Sequence, residues 1–223
     1  MLKIILGNKA YSSWSLRGWL AVRQSGLPCE EVVVSMFDAD WPSRKAEPDL
    51  AASAGKVPTL WDGDVAVWDS MAILDYLDGI TGGTRFWPQD KAARALARSM
   101  AAEMHSGYVP LRVACPMNVR RVFAEQTPSD AVLENLARIE TLWNDARTRF
   151  GTDGPYLFGA FGAADIMFAP VAFRIQGYQL PVGEAASTYV RAMLEHPWMA
   201  EWTSAANVES WILEQYERGP DYS

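Results

Sequence analysis

The amino-acid sequence predicts a chain in two parts, an α/β domain in the first third and an all-helical domain after it. Within residues 1–36 the apolar pattern indicates a strand, a helix and a second strand, an order typical of a parallel pair joined by a right-handed crossover. Further on, Asp62-Gly63-Asp64 separates two short apolar runs and predicts a hairpin. After the glycine- and threonine-rich segment 81–88, the periodicity is helical. We therefore expect an α/β domain over 1–80, a linker over 81–88 and a helical domain over 89–223.

Each element of the first domain follows from its local pattern. Leu2–Leu6 is a short apolar run and predicts a buried strand. Trp14–Gln24 has apolar residues at helical spacing, with a serine of the pair Ser12-Ser13 as its N-cap and Gly26 just beyond its end. The valine-rich segment Glu30–Met36 predicts a second strand. The further elements expected in this domain are a short helix near 43–50, strands over 57–61 and 65–68, and a helix over 70–78.

The second domain is predicted to be helical because its apolar residues recur every three to four positions. Asp90–His105 is alanine-rich with basic residues on an outer face, and Pro128-Ser129-Asp130 begins an amphipathic segment. His196-Pro197 places a proline in the first turn of a helix, where its missing amide hydrogen has no partner to lose. The expected helices are 90–105, 129–150, 163–175, 187–195 and 197–206, followed by a last helix over 208–217.

The composition limits the class of protein. Hydrophobic residues make up 49% of the chain and charged residues 21%, proportions that suit a folded protein with a buried core. A net charge of −7 without a basic cluster argues against nucleic acid as a partner. Two distant cysteines and two histidines predict neither a disulfide framework nor a metal site. Because no apolar run is long enough to span a membrane or to act as a signal peptide, we expect a cytoplasmic protein without a membrane partner.

Two neighbouring motifs predict a small-molecule site. The Val57-Pro58 bond opens an apolar run, and a cis bond there would leave the main-chain groups of Val57 free to pair with an extended peptide. Asp69-Ser70 precedes a helix whose first amides and dipole favour a carboxylate. Each motif also has a purely structural interpretation, since proline often opens a strand and an Asp-Ser pair often caps a helix. Their order and spacing favour the ligand site.

With these motifs and two more, the chain resembles the soluble glutathione S-transferase family. The matching segments are Tyr11–Arg17, Lys56–Leu60, Asp69–Ile73 and Phe161–Pro170. The serine-rich segment is most similar to the serine-type, zeta-like branch of that family. The resemblance implies a thioredoxin-like N-terminal domain, an all-helical C-terminal domain and a homodimer. It further implies glutathione as co-substrate, a small electrophile as second substrate, and no metal.

The same resemblance implies which residues bind glutathione. The main chain of Val57, beside a cis Pro58, would pair with the cysteinyl part of the tripeptide. Asp69 and Ser70 would hold its γ-glutamyl end at a helix N-terminus. Lys56 would reach its glycyl end.

The residue that activates the thiol is one of two neighbours. Ser12 matches the activating position when the segment is aligned on Arg17, and Ser13 is the neighbour that could replace it. A serine is no base here, but its hydroxyl can donate a hydrogen bond to the sulfur and favour the thiolate over a thiol of pKa about 8.5. One charge-assisted bond of about 1.5–3 kcal/mol lowers a pKa by about one or two units. Arg17 itself either binds the ligand or forms an ion pair on the helix surface, and we favour the ion pair.

The second-substrate cleft is expected at the end of the first long helix. Met104, His105 and Tyr108 would line its wall, although each of them also suits a packed core. The segment Gly162–Asp165 is expected to cap a buried helix and to have no catalytic role.

One departure from the zeta-like pattern bears on the reaction. Trp14 stands where that branch carries a cysteine, which argues against its isomerase activity. Our first interpretation is therefore a glutathione transferase. The alternatives are a glutathione-dependent cis–trans isomerase of the maleylacetoacetate or maleylpyruvate type and a non-catalytic glutathione-binding protein.

Overall fold

The computed structural model describes residues 1–151 and 153–222, and it contains an α/β domain followed by a helical region. The strands are β1 Leu2–Leu6, β2 Cys29–Val33, β3 Thr59–Asp62 and β4 Val65–Trp68. They form one sheet with the order β2-β1-β3-β4. Strand β1 is parallel to β2, as the predicted crossover requires, and β3 is antiparallel to both β1 and β4.

The strand register brings three connections to one edge of the sheet. Ile5 of β1 is paired with Thr59 of β3, and Thr59 is paired with Trp68 of β4. Because β3 runs against both neighbours, the end of β1, the start of β3 and the end of β4 lie side by side. The serine-rich loop, the Val57-Pro58 bond and the Asp69-Ser70 pair therefore meet at this edge.

Helices pack on the sheet through close contacts. Helix α1 (Ser13–Ser25) packs against β1 and against α4 (Ser70–Ile80), which also contacts β4. Gly18 of α1 allows this approach, since a Cβ at that position would lie 2.7 Å from Cγ of Pro58. Between β2 and β3 the chain forms two single-turn helices, α2 (Trp41–Arg44) and α3 (Pro48–Ala51).

The helical region is organised around one buried helix. Its members are α5 Lys91–Ser106, α6 Val109–Ala114, α7 Asp130–Phe150, α8 Ala163–Gly177, α9 Glu184–Leu194 and α10 Pro197–Val208. Every residue of α8 except Gln176 is buried, and α8 packs against α1, α5 and α9. Helix α8 thus joins the two halves of the molecule through apolar contacts. The predicted fold class, a thioredoxin-like α/β domain with a helical C-terminal region, is confirmed.

Two expectations about the helices were wrong. The chain continues past α10 in an extended conformation at Glu209 (φ −64°, ψ 133°), and the expected helix over 208–217 is reduced to a 3₁₀ turn at Glu214–Tyr216. The side chain of Glu209 binds main-chain amides of the N-terminal domain instead of continuing a helix. Helix α6 was not predicted, because Tyr108 has a left-handed φ of 59° and Pro110 stands in its first turn.

Smaller differences occur at element ends. The second strand stops at Val33, and the amide of Met36 donates to Oδ1 of Asn8 (2.9 Å) and not to the sheet. The expected helix near 43–50 is divided because Pro48, which lacks an amide hydrogen, begins a new turn.

Candidate functional site

The two candidate serines are placed differently at the start of α1. Ser12 is the N-cap, and its buried Oγ accepts the amide hydrogen of Ser15 at 3.2 Å. The same hydroxyl donates to Oγ of Ser15 (2.8 Å), which also accepts the amide of Gly7 (2.9 Å). Ser13 is the first residue of the helix and half-buried, and its hydroxyl has no hydrogen-bond partner among the described residues. Of the two, the Ser13 hydroxyl is the one free to bind a ligand.

The neighbouring Tyr11 is held as a neutral phenol. Its hydroxyl donates to Oε1 of Glu217 at 2.6 Å. Burial, followed by this hydrogen bond, raises the pKa of Tyr11 to about 12. A phenol that stabilises an anion through partial ionisation would need a lowered pKa. Because the pKa of Tyr11 is raised, we assign this residue a structural role in the loop.

The second part of the site is the entrance to β3. The Val57-Pro58 peptide is cis, as predicted. Neither main-chain polar group of Val57 is hydrogen-bonded to a described residue. The carbonyl of Lys56 accepts the hydroxyls of Ser53 and Thr59, both at 2.8 Å, while its side chain is exposed. This segment thus presents an unpaired amide and carbonyl at the edge where the three connections meet.

The third part is the first turn of α4. Asp69 has a φ of 76°, and its Oδ1 accepts the amide hydrogen of Met71 at 2.8 Å. A residue other than glycine held at such a φ costs about 1–3 kcal/mol, and such strain concentrates at ligand sites. Ser70 is 1% exposed, and its buried hydroxyl has no hydrogen-bond partner in the described chain.

The three residues expected in the second-substrate cleft have different surroundings. His105 is partly exposed, its Nε2 lies 3.3 Å from Oδ2 of Asp69, and its ring is edge-on to Trp14 at 5.4 Å between centroids. Met104 is fully buried in the core of the helical region. Tyr108 is also buried, with its hydroxyl donating to a carboxylate of α5 at 2.7 Å. His105 is the one of the three that contacts the predicted glutathione residues.

The expectation for Arg17 was wrong. Its side chain is 1% exposed, and Nε donates to the carbonyl of Met167 in α8 at 2.9 Å. The inward face of α1 is covered by α8, which the local pattern of α1 does not reveal. Sequence reasoning also missed Arg112 of α6, whose guanidinium lies 4.4 Å from the ring centroid of Trp14. Because α6 itself was not expected, no sequence signal assigned Arg112 to a face.

The remaining groups with reactive potential are possible metal ligands and the cysteine thiols. The described residues contain no group of three or more histidine, cysteine or acidic side chains suited to a metal ion. Burial raises the pKa of the Cys29 thiol to about 11 and also raises that of Cys115, so both favour the neutral thiol. Among the described helices, none combines the length and apolar character needed to cross a membrane.

Comparison with known proteins shows which proteins this chain is similar to. Residues 11–80, which contain all three parts of it, match the family model of the glutathione S-transferase N-terminal domain. A solved glutathione transferase homologue from Burkholderia, with bound glutathione, has the same fold with a TM-score of 0.65. It is 22% identical to this chain, and the match covers 93% of this chain and 99% of that one.

Two curated proteins are similar to this chain in sequence. Glutathione S-transferase F14 of Arabidopsis thaliana is 30% identical over 163 residues, which are 68% of this chain and 61% of that protein. Protein IN2-1 of Zea mays is 24% identical over 172 residues, which are 75% of this chain and 63% of that protein. The chain thus spans less than two thirds of the length of both relatives.

Proposed function

We propose that this protein is a glutathione transferase that activates the thiol of glutathione for attack on a small electrophile. The observation that supports this most strongly is the register of the sheet. Through Ile5, Thr59 and Trp68 it aligns the serine loop, the unpaired main chain of Val57 and the start of α4 at one edge. Each of these carries a polar group without a hydrogen-bond partner among the described residues, which supports the binding of a tripeptide with a thiol and a free carboxylate there.

In this proposal each part of the edge binds one part of glutathione. The main chain of Val57 beside Pro58 pairs with the cysteinyl residue, as an added strand would. The buried Ser70 hydroxyl and the first amides of α4 bind the γ-glutamyl carboxylate, with Asp69 close to its ammonium group. Lys56 is exposed and reaches towards the glycyl carboxylate.

Thiol activation is assigned to the pair Ser12-Ser13. A hydroxyl that donates to the sulfur, together with the positive end of the α1 dipole, favours the thiolate. The thiol proton leaves to water, the sulfur forms a bond to the electrophilic carbon, and the leaving group departs with its electron pair. Ser13 is favoured as the donor because its hydroxyl has no hydrogen-bond partner among the described residues. The Ser12 hydroxyl would first have to break its hydrogen bond to Oγ of Ser15.

The first test measures the thiol of bound glutathione. The thiolate absorbance of the complex is followed against pH for the wild type, Ser12→Ala, Ser13→Ala and the exposed control Ser106→Ala. We expect a pKa below the solution value in the wild type and control, and a rise by about one to two units in Ser13→Ala. If the bound thiol keeps its solution pKa, the transferase proposal fails and the alternative, a non-catalytic glutathione-binding protein, is favoured. A pKa lowered equally in all variants would remove both serines from the mechanism.

The remaining assignments belong to the same proposal. Residues 1–80 would bind glutathione and 89–223 would supply the second-substrate cleft, with His105 on its wall and 81–88 as linker. The serine-type, zeta-like branch, a homodimeric state and a cytoplasmic location are proposed from the family resemblance. Size-exclusion chromatography with light scattering tests the dimer directly.

A further inference from the structure

Three arginines meet at the junction between the α/β domain and the helical region. Arg17 of α1 and Arg174 of α8 are 1% and 4% exposed, whereas Arg112 of α6 is half-buried. The guanidinium carbon of Arg17 lies 4.9 Å from the ring centroid of Trp14, and that of Arg112 lies 4.4 Å from the same ring. We call Arg17, Arg112, Arg174 and Trp14 the junction cluster.

Within residues 1–151 and 153–222, no hydrogen bond or ion pair joins a guanidinium group of this cluster to a carboxylate. Arg17 donates to the carbonyl of Met167, and Arg112 donates to the carbonyl of His105 at 3.2 Å. Arg174 likewise donates to main-chain carbonyls, at 2.8 and 3.3 Å. Nη1 of Arg17 is buried without any partner in the described residues. In the described part of the chain, the hydrogen-bond acceptors of these three cations are therefore all neutral carbonyls.

The electrostatic consequence is a local excess of positive charge in a chain of net charge −7. Burial first, and then the neighbouring Arg174 and Arg112, lower the pKa of Arg17, while Asp69 is the carboxylate that opposes this shift. Burial and Arg112 likewise lower the pKa of Arg174 to about 10. Burying cations without a counter-charge is unfavourable for folding, and a bound anion would offset that cost.

The position of the cluster relates it to the proposed active site. Trp14 directly follows the serine pair Ser12-Ser13. His105, whose carbonyl accepts from Arg112, also contacts Asp69 through Nε2. The cluster therefore borders the glutathione residues on the helical side, where two domains meet and ligand clefts commonly form.

We infer that the junction cluster binds an anionic group of the second substrate, so that electrophiles carrying a carboxylate are preferred over neutral ones of the same shape. Arg112, as the partly exposed member, contacts the carboxylate through its planar fork. Arg17 and Arg174 raise the positive potential behind it, and the ring of Trp14 packs against the guanidinium groups of Arg17 and Arg112. The preference for an acidic second substrate rests on the proposed transferase function. The anion-binding site itself does not depend on that function.

The experiment uses a matched pair of electrophiles and a matched pair of variants. Conjugation of glutathione to 4-(chloromethyl)benzoate and to 4-(chloromethyl)benzamide is measured for the wild type, Arg112→Met, Arg112→Lys and the exposed control Arg191→Met. In each reaction the sulfur–carbon bond forms as chloride leaves. Binding of benzoate, with benzamide as its neutral counterpart, is measured separately by calorimetry.

We expect Arg112→Met to lower kcat/KM for the acid by about tenfold or more and for the amide by less than about twofold. Arg112→Lys should retain part of the preference for the acid, and Arg191→Met should change neither value. Equal losses for acid and amide, or a wild type that prefers the amide, would overturn the inference. If neither electrophile is conjugated, the transferase proposal fails, but the binding experiment still tests the anion site. Benzoate binding that depends on Arg112 would support the anion site. Benzoate that binds no better than benzamide would overturn it.

Discussion

Ser70 carries a hydroxyl whose surroundings are incomplete in the protein alone. The side chain is 1% exposed, and its Oγ has no partner among the described residues. An unpaired buried hydroxyl costs about 1–3 kcal/mol, so the folded chain is less stable than it would be with alanine there. A ligand carboxylate at the start of α4 would supply the missing acceptor.

Substitution of this residue separates binding from folding. We expect Ser70→Ala to weaken glutathione binding by about tenfold or more, because one hydrogen bond to a charged group is lost. The melting temperature of the unliganded protein should stay the same or rise slightly. Calorimetric titration and thermal unfolding of the same samples check both parts. A Ser70→Ala variant that binds glutathione as tightly as the wild type would place the γ-glutamyl end elsewhere.

At the scale of elements, α8 depends on the buried carboxylate of Asp165. Its two oxygens accept the amide of Gly162 (3.0 Å), the amide of Leu157 (3.1 Å) and the hydroxyl of Tyr189 (2.9 Å). The cap predicted for this helix is confirmed, and the carboxylate also fixes the preceding loop and α9. Burial nevertheless raises the pKa of Asp165 to about 6, because the loss of hydration outweighs these bonds.

The raised pKa predicts how this element responds to pH. Between about pH 4 and pH 6 the folded protein keeps a proton on Asp165 that the unfolded chain has released, so its contribution to stability is lost as pH rises. We expect the difference in free energy of unfolding between the wild type and Asp165→Asn to narrow across this interval, by up to about 3 kcal/mol. Urea unfolding at several pH values measures it. A difference that widens with pH would mean that the hydrogen bonds hold the native pKa below its ordinary value.

At the scale of the whole molecule, the C-terminal segment holds the serine loop in place. Oε1 and Oε2 of Glu209 accept the amides of Lys9 (2.7 Å) and Ala10 (3.1 Å). The carbonyl of Lys9 accepts the indole hydrogen of Trp202 at 2.9 Å. The loop that precedes Ser12 is thus positioned by residues near the other end of the chain.

We expect Glu209→Gln to disturb this arrangement. The glutamine side chain has one acceptor oxygen in place of two, and its NH₂ group would face the main-chain amide hydrogen of Lys9 or Ala10. The free energy of unfolding should fall by about 1–3 kcal/mol, and the pKa of the bound glutathione thiol should rise towards its solution value. Glu201→Gln, which removes an exposed partner of Arg23, is the control. A loss of stability with an unchanged thiol pKa would restrict Glu209 to a structural role.

Much of the site could be predicted because its parts depend on neighbours within a few residues. The Ser12 cap, the Gly26 left-handed C-cap and the Asp69 cap are all formed by groups close in sequence. Such caps follow from local hydrogen bonding and the conformational freedom of glycine. For the bond before Pro58 the segment allowed a cis isomer, and the family resemblance implied it.

Other features depended on what packs against each element. The periodicity of α1 places Arg17 on a face, but only the position of α8 makes that face buried. Helix α6 was hidden by the left-handed Tyr108, and its Arg112 therefore had no expected neighbour. Neither error arises from a wrong period, since the first concerns a contact between distant elements and the second a local backbone conformation at Tyr108.

The sequence by itself determined the strands, most of the helices, several of their caps and the motifs that resemble a glutathione transferase, because these depend on interactions along the chain. The tertiary structure decided that three arginines share one junction. It also decided that Glu209 supports the serine loop, through a hydrogen bond to Lys9, which lies 200 positions away in the sequence. The physical reason is that periodicity shows which residues share a face, whereas the burial and charge of that face are set by the element that covers it.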